Sequence, residues 1–374
     1  MNGVQQLLAA GQSVWLDDLG RDRLESGDLQ RLVDLGVCGV TTNPTIFAKA
    51  VGSGAHYRAD LAALAGKTAT AEQAVVALTS EDVRRACDVL AGVYADSDRV
   101  DGRVSLEVDP RLAHDTVATV EQARHLWHLV DRPNLMVKVP ATTAGLPAIR
   151  TLLGEGISVN VTLIFALQRY DAVLDAWLAG LEQAQEAGLD LAGIGSVASF
   201  FVSRVDSYVD PLLTAAVASG DAGAGQWLGR AALANARLAY QRFLAVVDSP
   251  RWQQLAAAGA RPQRPLWAST STKNPDYDPT MYVTGLVAPH TVNTLPAATL
   301  AAVIDDGQLA AATPDDTVTS AGPDSEAVMA GLASHGIDMA AVVDQLERDG
   351  VESFATSWTE LLGAVHAAMQ DGAA

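Results

Sequence analysis

Short β-branched runs alternate with longer Ala- and Leu-rich stretches of helical periodicity along most of the chain. That alternation predicts a parallel sheet built from strand–helix units. Eight strands are expected, at residues 14–18, 39–43, 104–109, 135–139, 159–165, 196–202, 265–270 and 281–286. Helical segments lie between them, among them residues 27–35, 80–94, 116–129, 167–187 and 226–247. Eight strands with intervening helices fit a closed (β/α)8 TIM barrel, in the α/β class, better than an open sheet. Past the last strand, residues 326–369 keep a helical period with Leu346, Phe354, Leu361 and Leu362 on apolar faces, so additional C-terminal helices are expected to close the fold. Residues 219–225 and 312–324 read as loops, too short to separate domains. No repeat of fixed period is present, and a single domain over residues 1–374 is expected.

Successive side chains of a strand point to opposite faces, so each barrel strand sends every second residue inward. In Val104-Ser-Leu-Glu-Val-Asp109, Ser105, Glu107 and Asp109 share one face, and Leu106 and Val108 the other. A face carrying a hydroxyl and two carboxylates suits the barrel interior or its C-terminal rim, not a helix-packed exterior. Asn160 and Thr162 oppose Val159, Val161 and Leu163 in the same way, and Thr41 with Asn43, Ser199 with Phe201, and Asp17 with Trp15 repeat the split. A single polar strand residue could merely satisfy a neighbour inside the barrel. Five strands that each deliver one near the C-terminal end describe an active-site mouth.

Composition narrows the chemistry. The 374 residues are 49% hydrophobic and 18% charged, enough apolar material for a large core. A net charge of −19 argues against nucleic acid and acidic membrane surfaces as partners, since both are held by basic patches. A small anionic substrate needs only one or two local cations. Two cysteines, Cys38 and Cys87, make no disulfide framework, and with seven scattered histidines they show no zinc spacing. His125 and His128 stand three apart on a helix, without a third ligand in view, and read as a solvated face. The first residues lack a basic n-region, and no window reaches eighteen uninterrupted apolar residues, so a cytoplasmic setting is expected. Gly66-Lys67-Thr68 lacks the earlier glycine of a phosphate-binding loop, and Gly223-Ala-Gly225 lacks the third glycine of a dinucleotide fingerprint. No cofactor and no metal is expected.

Lysine is the sharpest signal. Only four occur, Lys49, Lys67, Lys138 and Lys273, among 25 basic residues. Lys49 and Lys67 stand in polar or Gly-adjacent surroundings that predict exposure. Lys138 lies within Leu135-Met-Val-Lys-Val-Pro140, with no other polar side chain in the run. Lysine is seldom buried without a partner or a purpose. At its ordinary pKa of about 10.4, roughly one amine in two thousand is neutral at pH 7. Burial disfavours the ammonium and frees the amine to attack a carbonyl. The alternative is a lysine that reaches the strand end or pairs with Glu107. Carboxylate, amide and hydroxyl groups on adjacent strands favour Schiff-base chemistry.

The segments Ser13-Val-Trp-Leu-Asp17, Val40-Thr-Thr-Asn-Pro-Thr45, Val104-Ser-Leu-Glu-Val-Asp109, Met136-Val-Lys-Val-Pro140 and Gly156-Ile-Ser-Val-Asn-Val-Thr162, followed by Val197-Ala-Ser-Phe-Phe-Val-Ser-Arg204 and Trp267-Ala-Ser-Thr-Ser-Thr-Lys-Asn274, resemble the transaldolases over nearly the whole chain. The length and the Ser-Thr-Lys-Asn-Pro run are similar to the bacterial, actinobacterial-type branch. The resemblance implies transfer of a three-carbon dihydroxyacetone unit between sugar phosphates in the pentose phosphate pathway. Donors would be fructose 6-phosphate or sedoheptulose 7-phosphate, and acceptors erythrose 4-phosphate or glyceraldehyde 3-phosphate. It implies Lys138 as the imine-forming nucleophile, Glu107 and Thr162 as the pair that positions a water for proton transfer, and Asp17 as the base for the donor C4 hydroxyl. It further implies that Asn43 and Asn160 hold the dihydroxyacetone hydroxyls and that Ser199 holds the C1 hydroxyl, with Phe201 beside it. Arg204 matches a phosphate-binding arginine. Where many members carry a second arginine, this chain has Lys273, assisted by Ser269 or Ser271. Asp18 faces away from Asp17 and receives no role.

Two other readings use the same residues. One is an aldolase of the fructose 6-phosphate or deoxyribose-phosphate type that releases its three-carbon fragment. The other is a catalytically silent barrel that binds sugar phosphates. The sequence also leaves monomer and homodimer open.

Overall fold

The computed structural model describes residues 2–52, 54–67, 69–305 and 316–372. Eight parallel strands close in chain order, from β1 beside β2 through to β8 beside β1. They are β1 (Gln12–Asp17), β2 (Gly39–Thr41), β3 (Arg103–Glu107), β4 (Leu135–Pro140), β5 (Val159–Ile164), β6 (Ser196–Phe201), β7 (Arg264–Ala268) and β8 (Thr291–Leu295). Helices cover the outside, and additional helices follow at Gly322–Ser334 and Met339–Gly372. The expected (β/α)8 barrel with C-terminal helices is therefore the observed fold. One continuous apolar cluster runs from Val4 to Met369.

Register sets the chemistry inside. Glu107 is the partner of Lys138, Lys138 of Asn160, and Pro140 of Thr162, so polar residues from β3, β4 and β5 stand in adjoining rows. Asp17 is the partner of Thr41, and Trp15 of Thr294. The Trp15 ring fills the interior because β2 offers Gly39 beside it; a Cβ there would stand 2.5 Å from the indole. Below Trp15 its Nε1 donates to Asp101 at 3.1 Å.

Three expectations need correction. Residues 281–286 are not the eighth strand: Met281–Thr284 is a short helix, and the strand is Thr291–Leu295. Tyr282, Val283, Leu286 and Val287 are all buried at helical spacing, and Asp278 Oδ1 accepts from the Thr280 backbone N–H at 2.7 Å ahead of that turn. The true β8 turns Thr291 and Asn293 outward, where polar residues were not expected. Both are satisfied, since Thr291 Oγ1 accepts from Gln12 Nε2 at 3.0 Å and Asn293 Nδ2 donates to the Tyr282 carbonyl at 3.2 Å. Next, β3 ends at Glu107, and Asp109 caps the short 3-10 helix Pro110–Leu112 while pairing with Arg111 at 2.6 Å. Asp109 thus belongs to a loop and not to the interior face. Finally, the alternation in β5 breaks at Leu163, whose φ of 61° accompanies a register shift between Val161 and Ile164.

Helices Thr116–Val130 and Leu167–Glu186 keep near their expected limits. The helix expected at 80–94 instead begins at Ala71 and gives way at Leu90 to a second one, Ala91–Asp96, and the one expected at 226–247 begins at Ala231. His125 and His128 are exposed on Thr116–Val130. The expected loop at 219–225 runs into a 3-10 helix, Ala222–Trp227. Residues 312–315 of the other expected loop, and Thr68 of the Gly66-Lys67-Thr68 run, lie outside the described residues. Among the described residues no single helix is long and apolar enough to cross a membrane.

Candidate active site

At the C-terminal ends of the strands the barrel opens into a cavity of about 550 Å³. Asp17, Asn43, Lys138, Ser199, Phe201, Arg204, Ser269 and Lys273 all line it. Eight of the eleven residues singled out from the sequence therefore meet on one surface. Glu107, Thr162 and Asn160 are buried in the rows next to Lys138.

Lys138 occupies the floor. Its side chain is 6% exposed, and Nζ donates to the Thr42 carbonyl at 2.8 Å and lies 3.4 Å from Glu107 Oε1. Both sequence readings of this lysine thus meet in one geometry: it is paired with Glu107, and it faces the cavity. Glu107 also accepts from Thr42 Oγ1 at 3.0 Å. Burial pushes the Glu107 pKa up, and the Lys138 charge only partly opposes this. The carboxyl holds its proton more tightly than an ordinary glutamate and can serve as an acid. Thr162 Oγ1 is buried without a partner among the described residues, a hydroxyl left free for one more hydrogen bond.

Asp17, at the end of β1, accepts from Thr41 Oγ1 at 2.7 Å, and Thr41 Oγ1 in turn lies 2.6 Å from Thr294 Oγ1. Burial raises the Asp17 pKa above the usual carboxylate value, against the lowering influence of Lys138 and Thr41. Two carboxyl groups thus flank the amine in different settings, Glu107 enclosed behind it and Asp17 facing the cavity. Asp18, expected to face away, lines the same cavity and pairs with Arg23 at 2.8 Å.

The amides and hydroxyls fall into two groups. Asn160 donates to Ser105 Oγ at 2.9 Å and accepts from Ser199 Oγ at 2.7 Å. Fully buried, it is placed to orient Ser199, which does reach the cavity. Asn43 lines the cavity itself while its Oδ1 caps the helix Pro44–Gly52 by accepting from Ile46 N–H at 3.0 Å.

Cations ring the mouth. Arg204 is the second residue of the helix Ser203–Ala218, with its guanidinium 5.3 Å from the Phe201 ring and 6.0 Å from the Phe354 ring. Lys273 Nζ donates to Ser271 Oγ at 2.6 Å. Burial, with the charge of Arg204 added, lowers the Lys273 pKa. Ser269, held at a φ of 55°, accepts from Ser203 N–H through its carbonyl at 3.0 Å, and the two hydroxyls lie 3.0 Å apart. Two like-charged groups near a helix N-terminus form a place where an anion relieves repulsion.

Sequence reasoning missed two contributors, Thr42 and Lys49. Thr42, one residue past β2, uses its carbonyl and hydroxyl to hold Lys138 and Glu107; it sits in the quoted Thr-Thr-Asn-Pro segment, but strand alternation turned attention to Thr41. Lys49 is exposed as expected, yet it lines the cavity edge. Phe354 arrives from the C-terminal helix Met339–Gly372, which also meets the rim through Ser357 Oγ, 2.8 Å from Thr45 Oγ1. Trp358 is buried behind it.

The family model described as transaldolase/fructose-6-phosphate aldolase matches residues 14–365. The chain is 56% identical over 361 residues to a transaldolase of Acidothermus cellulolyticus, covering 96% of this chain and 95% of that one. It is 57% identical over 363 residues to a transaldolase of Thermobifida fusca, covering 97% of each. To a transaldolase of Mycobacterium tuberculosis it is 54% identical over 369 residues, covering 98% of this chain and 97% of the other. A barrel with an enclosed lysine between two carboxyl groups, matched nearly end to end by such relatives, belongs to the transaldolase/fructose-6-phosphate aldolase family.

Proposed function

We propose that the protein is a transaldolase, a transferase that moves a dihydroxyacetone unit between sugar phosphates. It converts sedoheptulose 7-phosphate and glyceraldehyde 3-phosphate into erythrose 4-phosphate and fructose 6-phosphate, and the reverse. The observation that carries this reading is Lys138 Nζ, at the cavity floor, 3.4 Å from Glu107 and in the same cavity as Asp17.

The Lys138 amine adds to the donor ketone to give a carbinolamine. Glu107, with Thr162 and an intervening water, delivers a proton to the departing hydroxyl, so that water leaves and a protonated imine remains. Asp17 accepts the proton of the C4 hydroxyl. The C3–C4 bond then breaks, its electron pair passing into the imine to form an enamine, and an aldehyde departs. The acceptor aldehyde takes up the enamine carbon in the reverse sense, and hydrolysis returns the lysine. Ser199, oriented by Asn160, together with Asn43 holds the fragment's hydroxyls, Phe201 packs beside it, and Arg204 with Lys273 and Ser269 takes the phosphate. Retention of the enamine between the two half-reactions separates transfer from simple cleavage.

The working form proposed is a cytoplasmic monomer or homodimer that acts on free sugar phosphates and engages neither nucleic acid nor membrane. The test is borohydride reduction in the presence of fructose 6-phosphate. A reduced three-carbon adduct is expected on the peptide that contains Lys138. An adduct on another residue, or none on active protein, overturns the assignment. Repeated release of free dihydroxyacetone without an acceptor would favour an aldolase.

A further inference from the structure

A second cavity, of about 190 Å³, lies at the opposite, N-terminal end of the barrel. Four guanidinium-bearing residues line it, Arg99, Arg103, Arg261 and Arg264, with Ser196 and His290 between them. Among the described residues no carboxylate lines it. In a chain of net charge −19 this is a local inversion of sign.

Arg103 is the centre of the cluster. It begins β3, is 1% exposed, and donates to the Arg99 and Pro133 carbonyls and to Ser158 Oγ at distances of 2.7 to 3.3 Å. Its partners are neutral, and the Tyr94 ring lies 4.8 Å from the guanidinium carbon. A buried cation ordinarily has a counter-ion. Burial, reinforced by the charge of Arg264, brings its pKa down to about 10, which leaves it cationic at neutral pH. Gly195 provides the space, since a Cβ there would stand 2.7 Å from that guanidinium carbon.

The other three arginines have carboxylate partners outside the cavity: Asp190 for Arg99 at 2.9 Å, Asp98 for Arg261 at 2.5 Å and Asp101 for Arg264 at 2.9 Å. Asp98 and Asp190 are 82% and 68% exposed, so those two pairs are weak and screened. Three carboxylates face four guanidinium groups, and the one without a partner is the most deeply enclosed.

We propose that this cavity is an anion site for a phosphate group, taken from inorganic phosphate, pyrophosphate or a small phosphate ester, separate from the catalytic cavity. Guanidinium groups match phosphate oxygens in geometry as well as charge. The cavity's small volume, against about 550 Å³ at the catalytic end, selects for compact anions. Occupancy neutralises Arg103 and, because the unfolded chain lacks the site, raises stability by mass action.

The test uses equilibrium dialysis of the full chain with labelled pyrophosphate at constant ionic strength, comparing the native protein with the double variant R99A/R261A. Both substituted residues are partly exposed and lie outside the catalytic cavity, so turnover is expected to stay within about twofold of native. The variant should bind one equivalent fewer per chain, or bind it at least tenfold more weakly, and should lose the matching rise in Tm. Equal stoichiometry and affinity in the two proteins overturn the proposal. A second variant, R103M, is expected to show the same loss; if it folds and retains the site, the proposal also fails. Parallel titrations with inorganic phosphate and glycerol 3-phosphate distinguish a free-phosphate site from one that prefers an ester. A catalytic phosphate contact at Arg204 and Lys273 contributes equally to all these proteins and leaves the difference intact.

Discussion

Glu107 and Lys138 are direct Cα partners across β3 and β4, and Lys138 Nζ lies 3.4 Å from Glu107 Oε1 while donating to the Thr42 carbonyl. In the proposed reaction this register match gives the lysine a proton acceptor at rest and a proton donor once the carbinolamine has formed. Replacing Glu107 with Gln removes the donor and keeps the shape. Imine formation, followed by borohydride-trapped adduct in single turnover, should slow by ~10²–10⁴-fold. The variant Lys138→Ala should give neither adduct nor turnover. An E107Q protein that traps at the native rate would remove Glu107 from the acid role.

Asp17 should act later in the sequence. The variant Asp17→Asn is expected to accumulate the adduct of the intact donor, with carbon–carbon cleavage lost, as read by the mass of the reduced peptide. The base must be ionised to work, and burial raises its pKa. Cleavage therefore falls as the pH drops through a value above the ordinary 3.8 of an aspartate. Thr41→Val deletes the hydrogen bond that stabilises the carboxylate, so the acid limb of the cleavage profile should move to still higher pH.

Arg204 and Lys273 line one cavity, and the Arg204 charge helps to lower the Lys273 pKa. Lys273→Ala should raise KM for phosphorylated donors by roughly 10- to 100-fold, the equivalent of one charged hydrogen bond of ~1.5–3 kcal/mol, with a smaller effect on kcat. Without ligand the same variant should be no less stable than native, because an exposed cation near another has been removed. A Tm loss of several degrees with unchanged KM would reassign Lys273 to a structural role.

Phe354 covers the mouth from the C-terminal helix, with its ring 6.5 Å from that of Phe201 and 6.0 Å from the Arg204 guanidinium carbon. Phe354→Ala should cost ~3 kcal/mol of stability by leaving a cavity and should raise KM. Phe354→Leu keeps most of the volume and loses the ring face, so KM should rise a few-fold with about 1 kcal/mol of stability lost. Denaturant unfolding and steady-state kinetics on the two variants separate packing from cation stacking.

Asp206 ties the helix that bears Arg204 to the segment after β7, accepting from Tyr282 Oη at 2.7 Å, and to the helix Ala231–Val247, accepting from Ala232 N–H at 2.8 Å. Burial raises its pKa from 3.8 to about 6. The folded pKa lies above the unfolded one, so the stability it contributes is complete below about pH 3.8 and is lost as pH rises through about 6. The rise corresponds to ~3 kcal/mol. Asp206→Asn should abolish this part of the decline, measured as the difference between native and variant unfolding free energies from pH 4 to pH 7.

Local sequence determined which residues form the floor of the candidate active site. A lysine set within Leu135-Met-Val-Lys-Val-Pro140, and the period-2 separation of Ser105 and Glu107 from Leu106, are written in adjacent residues, and a barrel strand obeys that alternation wherever it lies. Tertiary structure decided the rest. The eighth strand went unrecognised because its outward Thr291 and Asn293 are satisfied by Gln12 and by the Tyr282 carbonyl, and the partnership with Gln12 exists only once the barrel closes. Phe354 reaches Arg204 from 150 residues further along the chain, and Arg99, Arg103, Arg261 and Arg264 become one cluster only where the strand starts converge. Side-chain alternation is a property of neighbouring peptides, whereas the sharing of a cavity depends on long-range closure, and no short stretch of sequence encodes it.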